Sequence, residues 1–492
     1  MDWIRRWEPW LAIGGGVLAA LSMPGFGAVP LVFVALIPLF AALEKGRGFL
    51  YGYLFGLAFF AVDVRWILTL IRFNPLVVPG YVLLVAYLAL PFGLFGWLIA
   101  WRTDGIKAWR WILLAPALFV LAEYVRTLGP LGTGFSMFHQ ALYRVPWMIQ
   151  SASILGSWSV TGFLVAINAA WYFALRRKSI RFALLGLGLL LAQAAFWFLP
   201  PGATEEASSI TVAVVSSNVD QEVKLDGRNL GALAERFLDL GAEAIVGDPD
   251  LVVFPESILP AYILNVDDIF SRLADLARTG HTRLLFGTGT FRDGEIYNST
   301  VLVDAMGNVV DTYDMVRPVP FGEYIPGRGI LEAIGLGRWA RALLPLDLTR
   351  GTGYEPLDGI GTPICFESTF PTAARRLTQG GATLLVTVTN DAWFAGSSEL
   401  QAHFATAVFR AVENRRAIVQ AANGGVSGFV DRHGKILFET SEEKVSKEHL
   451  RLSTAPSIYT RWGDAPLLLA MGCVAGALIS LGRPRRSRRT GR

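Results

Sequence analysis

Seven apolar stretches, at about residues 10–23, 28–43, 49–71, 80–101, 108–125, 155–175 and 180–199, precede residue 200, and an eighth runs over about 463–482. A helix needs ~20 apolar residues to cross the hydrocarbon core of a bilayer. The pattern therefore predicts a polytopic α-helical membrane domain with eight transmembrane helices. The first two stretches are short for a full crossing, which predicts tilt, a kink at Pro or partial re-entry. Trp10 to Met23 leads straight into further apolar sequence with no small-residue cleavage site, as in a retained helix rather than a signal peptide. With 53% hydrophobic and 17% charged residues, the composition is not that of a soluble enzyme.

Charge orients the helices, because Lys and Arg collect on the cytoplasmic side. Threading from a cytoplasmic N-terminus puts Arg5, Arg6, Lys45, Arg47, Arg102, Lys107, Arg110, Arg176, Arg177, Lys178 and Arg181 inside, with the Arg-rich tail after Gly482. The outside loops hold only Arg72, Arg126 and Arg144. Residues 203–461 carry 23 Lys and Arg against 33 Asp and Glu, and the rest of the chain 21 against 7. The expected division is a membrane domain of seven helices at 1–200, an external domain at 201–461, an eighth helix at 462–482 and a basic cytoplasmic tail at 483–492. A tail directly after a spanning helix serves topology and lipid headgroups rather than nucleic acid. Segment 127–154, rich in Gly, Pro and aromatics, is expected to dip into the membrane near its outer face.

The external part alternates strand-like runs (210–215, 251–254, 283–287, 299–303, 309–313, 361–365 and 384–388) with helical runs (230–244, 267–278 and 399–416). This predicts a layered α/β domain around one core. Gly287-Thr-Gly-Thr290 lacks the Lys and spacing of a phosphate loop. Five scattered histidines lack the pairing of a zinc site, so neither metal nor organic cofactor is expected. Cys365 is the one thiol of this part, and it is either buried or chemically used.

Three stretches end strand-like runs, where an α/β layer presents side chains to a cleft. They are Phe254-Pro-Glu256-Ser, Tyr313-Asp-Met315-Val-Arg-Pro-Val-Pro-Phe-Gly-Glu323-Tyr and Pro363-Ile-Cys365-Phe366-Glu367-Ser. Cys365 has the placement of an exposed nucleophile, and Glu256, after an apolar strand and a Pro, that of its base. Each also has a plainer reading. Cys365 and Trp393 fit core packing, Glu256 a solvated turn, Glu323 a loop anchor, and Arg410 with Glu413 an i, i+3 ion pair.

Together these stretches resemble the nitrilase superfamily, and with the membrane helices the resemblance narrows to the apolipoprotein N-acyltransferases. Tyr297-Asn298-Ser299, Asn390-Asp391-Ala-Trp393-Phe394 and Ala421-Ala-Asn423-Gly424 extend it. It implies a nitrilase-like α-β-β-α sandwich on the periplasmic side of the bacterial inner membrane, and a chain that acts as a monomer with both termini cytoplasmic. The implied partners are the bilayer, a phospholipid acyl donor and a diacylglyceryl-modified apolipoprotein. Cys365 would carry the acyl chain as a thioester, with Glu256 as base. Glu323, Glu367, Asn298 and Trp393 would support the site or bind substrate, and Phe366 would lend its N–H to the oxyanion.

The family's catalytic Lys falls at Met315, in a register fixed by Tyr313, Asp314 and Pro320-Phe-Gly-Glu323. Methionine has neither charge nor donor. The departure keeps two further readings open: a membrane-anchored amidase, and a slow or inactive relative that binds lipoprotein N-termini. An acyltransferase needs an apolar path to Cys365, and the run Phe321–Leu346 is expected to form a lid there.

Overall fold

The computed structural model describes residues 7–100, 108–199 and 206–482. Arg5, Arg6, Arg102, Lys107 and the basic tail, which bear on orientation, lie outside the described residues. Every apolar stretch is helical. Gly48–Arg72, Val77–Ala100, Ser157–Arg177 and Ile180–Phe198 are long and apolar enough to cross a membrane, whereas Glu8–Leu21, Val29–Leu43, Trp111–Val125 and Ala465–Gly476 are shorter. Val29–Leu43 is short for a local reason: Pro30 opens a 3-10 turn, Val29–Phe33, and the α-helix begins only at Leu36. Helices Gly48–Asp63 and Val77–Ala100 meet backbone to backbone. A Cβ on Gly52 would lie 2.1 Å from the Phe92 carbonyl oxygen, so only glycine permits the approach.

Segment 126–156 is an irregular, largely buried layer between helices and α/β domain. Arg126 donates to the carbonyls of Phe135 (2.7 Å) and Ser136 (3.0 Å), and Glu123 accepts from Phe138 N (2.6 Å) and the Thr161 hydroxyl (2.9 Å). On the other side Tyr143 donates to Gln401 (2.8 Å), and Ser157 N donates to Glu413 (3.1 Å). The run expected to dip into the membrane thus has a second surface to satisfy, that of the domain itself.

Among the described residues that domain has eleven strands: β1 Glu206–Ser216, β2 Leu251–Val253, β3 Arg283–Arg292, β4 Glu295–Val303, β5 Val309–Asp314, β6 Ile360–Gly361, β7 Leu384–Asn390, β8 Ala417–Asn423, β9 Ser427–Val430, β10 Ile436–Thr440 and β11 Lys444–Ser453. They form one sheet in the order β11-β1-β2-β3-β4-β5 and another in the order β10-β9-β8-β7-β6. Alternation explains the layering. Val212, Val214, Leu251, Val253 and Leu285 pack in the core shared with β7 and β8, and Ala213, Val215, Val252, Phe254 and Phe286 pack against Phe237 and Leu273 of helices Leu230–Ala244 and Asp267–Thr279. Helices Pro371–Gln379 and Glu399–Asn414 cover the second sheet, completing an α-β-β-α sandwich. Strands buried on both faces read as continuous apolar runs.

The strand expected over 361–365 is corrected. β6 stops at Gly361, and Cys365 opens a 3-10 turn, Cys365–Thr369, because its φ of +45° cannot continue a strand. The expected lid contains two short helices, Arg328–Ala333 and Gly337–Leu343, with Ile330, Ile334, Leu336 and Trp339 exposed.

Candidate active site

The parallel strands β2, β6 and β7 end on the same side of the two sheets, and the chain leaving each carries a reactive group. After β2, Phe254 N still bonds to Leu285 O (2.8 Å) and Gly287 N to Pro255 O (3.0 Å), so the loop with Glu256 stays stitched to β3. Ser257 follows at φ +44°. β3 passes so near that a Cβ on Gly287 would lie 2.5 Å from Glu256 Cα. Glu256 is only 6% exposed.

Beyond β6, Ile364 still bridges to Val388, and then Cys365 turns into the left-handed region. Such a residue costs on the order of 1 kcal/mol and persists only where its surroundings hold it. Glu367 does the holding. Its carboxylate accepts from Tyr313 (2.5 Å), Val316 N (2.8 Å), Arg317 N (3.0 Å) and Ile364 N (3.3 Å), which locks the Cys365 turn to the segment after β5. The first N–H groups of the 3-10 turn, Phe366 among them, have no partner inside it. The Thr389 hydroxyl, near the end of β7, lies 3.3 Å from Cys365 Sγ.

Asn298 on β4 joins the acids. Its Nδ2 donates to Glu256 Oε1 (2.6 Å) and Glu323 Oε1 (2.9 Å), and lies 3.8 Å from Met315 Sδ. Met315, 1% exposed, is held by its own N–H on Asn298 O (2.8 Å). Glu323 Oε2 accepts from Val319 N (2.7 Å), closing its own loop. Glu256 Oε2 is buried with no partner in full hydrogen-bond geometry among the described residues, while the Glu256 carboxylate also interacts with the Cys365 side chain.

Burial raises the three glutamates of the site. Glu256 is pushed up by burial, with Asn298 and the Lys224 ammonium opposing, and Glu323 rises to about 7 through burial and the charge of Glu256. Glu367 also reaches about 7 through burial. The Cys365 thiol is raised by burial, then by Glu256 and Asp391. Acids raised in this way are suited to taking up and returning a proton near neutral pH.

The structure thus gathers Glu256, Asn298, Met315, Glu323, Cys365, Phe366 and Glu367 in one place. Trp393 lies apart, at the seam with the membrane helices, its ring 5.0 Å from Phe73 and its carbonyl 3.4 Å from Thr69. Arg410 and Glu413 form the i, i+3 ion pair at 2.8 Å, and Arg410 also donates to Thr369 O (2.9 Å) behind the Cys365 turn.

Three participants carry no role in the sequence reading: Lys224, Thr389 and the Asp391–His403 pair. Lys224 is buried, and its Nζ donates to Glu256 O at 3.2 Å. His403 Nδ1 meets Asp391 at 2.9 Å, and its Nε2 meets Ser368 Oγ (3.0 Å) and Cys365 O (3.1 Å). Burial alone would push His403 down, but Asp391 and Glu399 outweigh it and lift it to about 9. Asp391, Glu399 and His403 place ligand atoms within 4.8 Å of one another. Both imidazole nitrogens already have protein partners, which fits an ion-pair network rather than a metal site. Only the i, i+4 spacing of Glu399 and His403 was visible beforehand; the partnership with Asp391 comes from tertiary folding.

Residues 15–170 match the family model of the apolipoprotein N-acyltransferase N-terminal domain, and residues 212–458 that of the carbon-nitrogen hydrolases. The apolipoprotein N-acyltransferase of Geobacter metallireducens is 33% identical, covering 97% of this chain and 95% of its own length. That of Shewanella oneidensis is 30% identical over 91% and 89%. Among solved structures, an amidase from Nesterenkonia sp. is 20% identical, covering 55% of this chain and 99% of its own, with a TM-score of 0.38. With both domain models matched in order and relatives at 30% identity or more over nearly their whole length, the chain belongs to the apolipoprotein N-acyltransferase family.

Proposed function

We propose that the site moves an acyl chain from a membrane phospholipid, through a thioester on Cys365, to the α-amino group of a diacylglyceryl-cysteine at a lipoprotein N-terminus. The observation that carries this reading is the buried Glu256 carboxylate, held on one oxygen by Asn298 and interacting through its side chain with the Cys365 thiol. Burial makes that carboxylate a stronger base than an exposed one, suited to take the thiol proton. Glu256 takes the Cys365 proton as Sγ attacks the donor's ester carbonyl, and the Phe366 N–H meets the oxyanion. The ester C–O bond breaks, and the leaving alkoxide takes the proton to become lysophospholipid. In the second half the acceptor amine, losing a proton to Glu256, attacks the thioester. The C–S bond breaks and the thiolate regains the proton.

Family membership supports the donor and acceptor, and the exposed Ile330, Ile334, Leu336 and Trp339, on the segment that follows Glu323, offer apolar side chains for acyl chains. For topology, our reading is that all eight apolar helices cross the bacterial inner membrane, with residues 201–461 on the periplasmic side and both termini cytoplasmic. The basic inside loops support it. The test is mass spectrometry of the purified protein incubated with phospholipid vesicles. An acyl adduct on Cys365, discharged by a diacylglyceryl-cysteine peptide, is the expected result. A thiol that stays unmodified, or turnover of small amides without an adduct, would refute the reading.

Two variants probe the geometry. Gly287→Ala drives a methyl group into the Glu256 backbone, and a displacement near 1 Å is expected to slow thioester formation by about 10²-fold. A rate within twofold of the unsubstituted protein would show that the position of Glu256 does not limit the reaction. Met315→Lys returns a donor beside Asn298, Glu256 and Glu323, and is expected to raise the rate by about 10²-fold. No change would mean that position 315 does not face the reacting carbonyl.

A further inference from the structure

Lys224 sits on the five-residue helix Gln221–Leu225, yet it is 3% exposed while its neighbours Val223 and Leu225 are open. A polar chain from both sheets fixes this turn. Asn390 donates to Gln221 (2.9 Å), Asn423 donates to Asn390 (2.8 Å), and Asn423 Oδ1 accepts from Val219 N (2.9 Å) and the Ser217 hydroxyl (2.8 Å). The ammonium is thereby delivered into the active site, where it donates to Glu256 O at 3.2 Å. It forms no ion pair among the described residues. An ammonium buried without a salt bridge is costly to the fold, so its retention calls for a reason at the site.

The groups around Cys365 supply the reason. Glu256, Glu323 and Asp391 all oppose a thiolate there. The His403 cation is offset by Asp391 at 2.9 Å and Glu399 at 3.7 Å. Met315 contributes no charge. Lys224 is a cation whose electrostatic partners are Glu256 and Cys365 themselves.

We propose that Lys224 is the positioning cation of this active site: it holds Glu256 through its backbone carbonyl and stabilises the Cys365 thiolate once Glu256 has accepted the thiol proton. Burial depresses the Lys224 ammonium to about 8, so it carries its charge at neutral pH and loses it in mild alkali. The inference rests on the roles given above to Cys365 and Glu256.

Lys224→Met tests it in the full-length protein in detergent. The readouts are the rate of alkylation of the Cys365 peptide by iodoacetamide at neutral pH, thioester formation from phospholipid vesicles, and thermal unfolding. A nearby cation favours the thiolate, and Lys224 carries its charge at neutral pH, so its removal is expected to slow alkylation there at least tenfold and thioester formation about 10²-fold or more. Because the substitution also removes a buried charge that makes no salt bridge, the unfolding temperature is expected to stay level or rise. Lys224→Arg is expected to keep the alkylation rate within about threefold. An unchanged alkylation rate in Lys224→Met overturns the proposal. So does a Lys224→Met protein that fails to fold, since the ammonium would then be serving the structure. If the unsubstituted protein forms no thioester, it is the reading of Cys365 that fails; a thioester with an unchanged alkylation rate in the variant refutes only the role of Lys224.

Discussion

Cys365→Ala is expected to leave no acyl adduct and to lower acyl transfer by about 10⁴-fold or more, since loss of a covalent nucleophile removes the intermediate itself. Fold effects are expected to be small. Cys365 packs only at the edge of the core, and the turn around it is held by Glu367 rather than by the sulfur. Alanine also tolerates φ +45° no worse than cysteine does. The measurement is product formation from labelled phospholipid, with thermal unfolding as the control. Residual transfer above about 1% would point to direct attack of the amine on the ester, and the thioester route would fall.

Glu256→Gln is expected to cost about 10³-fold or more, because the same carboxylate takes a proton in each half-reaction. The substitution keeps the volume and a carbonyl oxygen for Asn298 Nδ2, so the local geometry survives. It removes the acceptor and with it the negative charge that raises Cys365 most after burial. Two effects then part company. The thiol is expected to ionise at lower pH in Glu256→Gln, shifting iodoacetamide alkylation downward, while acyl transfer collapses. Parallel loss of both would mean that the variant has damaged the site rather than removed its base.

Much of this arrangement was legible from residue order alone, for identifiable reasons. The apolar stretches announced helices because a bilayer tolerates little else. β1 to β3 announced themselves because burial on both faces demands unbroken apolar runs. Glu256, Glu323, Cys365 and Glu367 stood out because Pro, Gly and aromatic neighbours mark the ends of strands. What stayed hidden is equally physical. β11 alternates exposed charges with few apolar residues, so Lys444–Ser453 reads as a loop until β1 pairs with it. Cys365 looks like a strand residue because a left-handed φ leaves no mark when the residue is not glycine. Lys224 lies in a short polar helix, and only the Asn390–Asn423 network, built from residues more than 160 positions away, turns it inward.

The pairing of β1 with β11 also sets the timetable of synthesis. β1 ends at Ser216, and its antiparallel partner begins at Lys444 and finishes at Ser453, shortly before the last helix at Ala465. At ~5–20 residues per second, a ribosome leaves that edge of β1 without its neighbour for roughly 10 to 50 seconds. An unpaired edge strand is a template for wrong partners. The nascent domain therefore waits unfinished beside helices that are already made, and the segment that completes its sheet is followed almost at once by the one that returns the chain to the helical bundle. Truncated chains ending between Thr440 and Ser453 are for that reason expected to aggregate or be degraded, although they retain Cys365, Glu256 and every other group around the thiol.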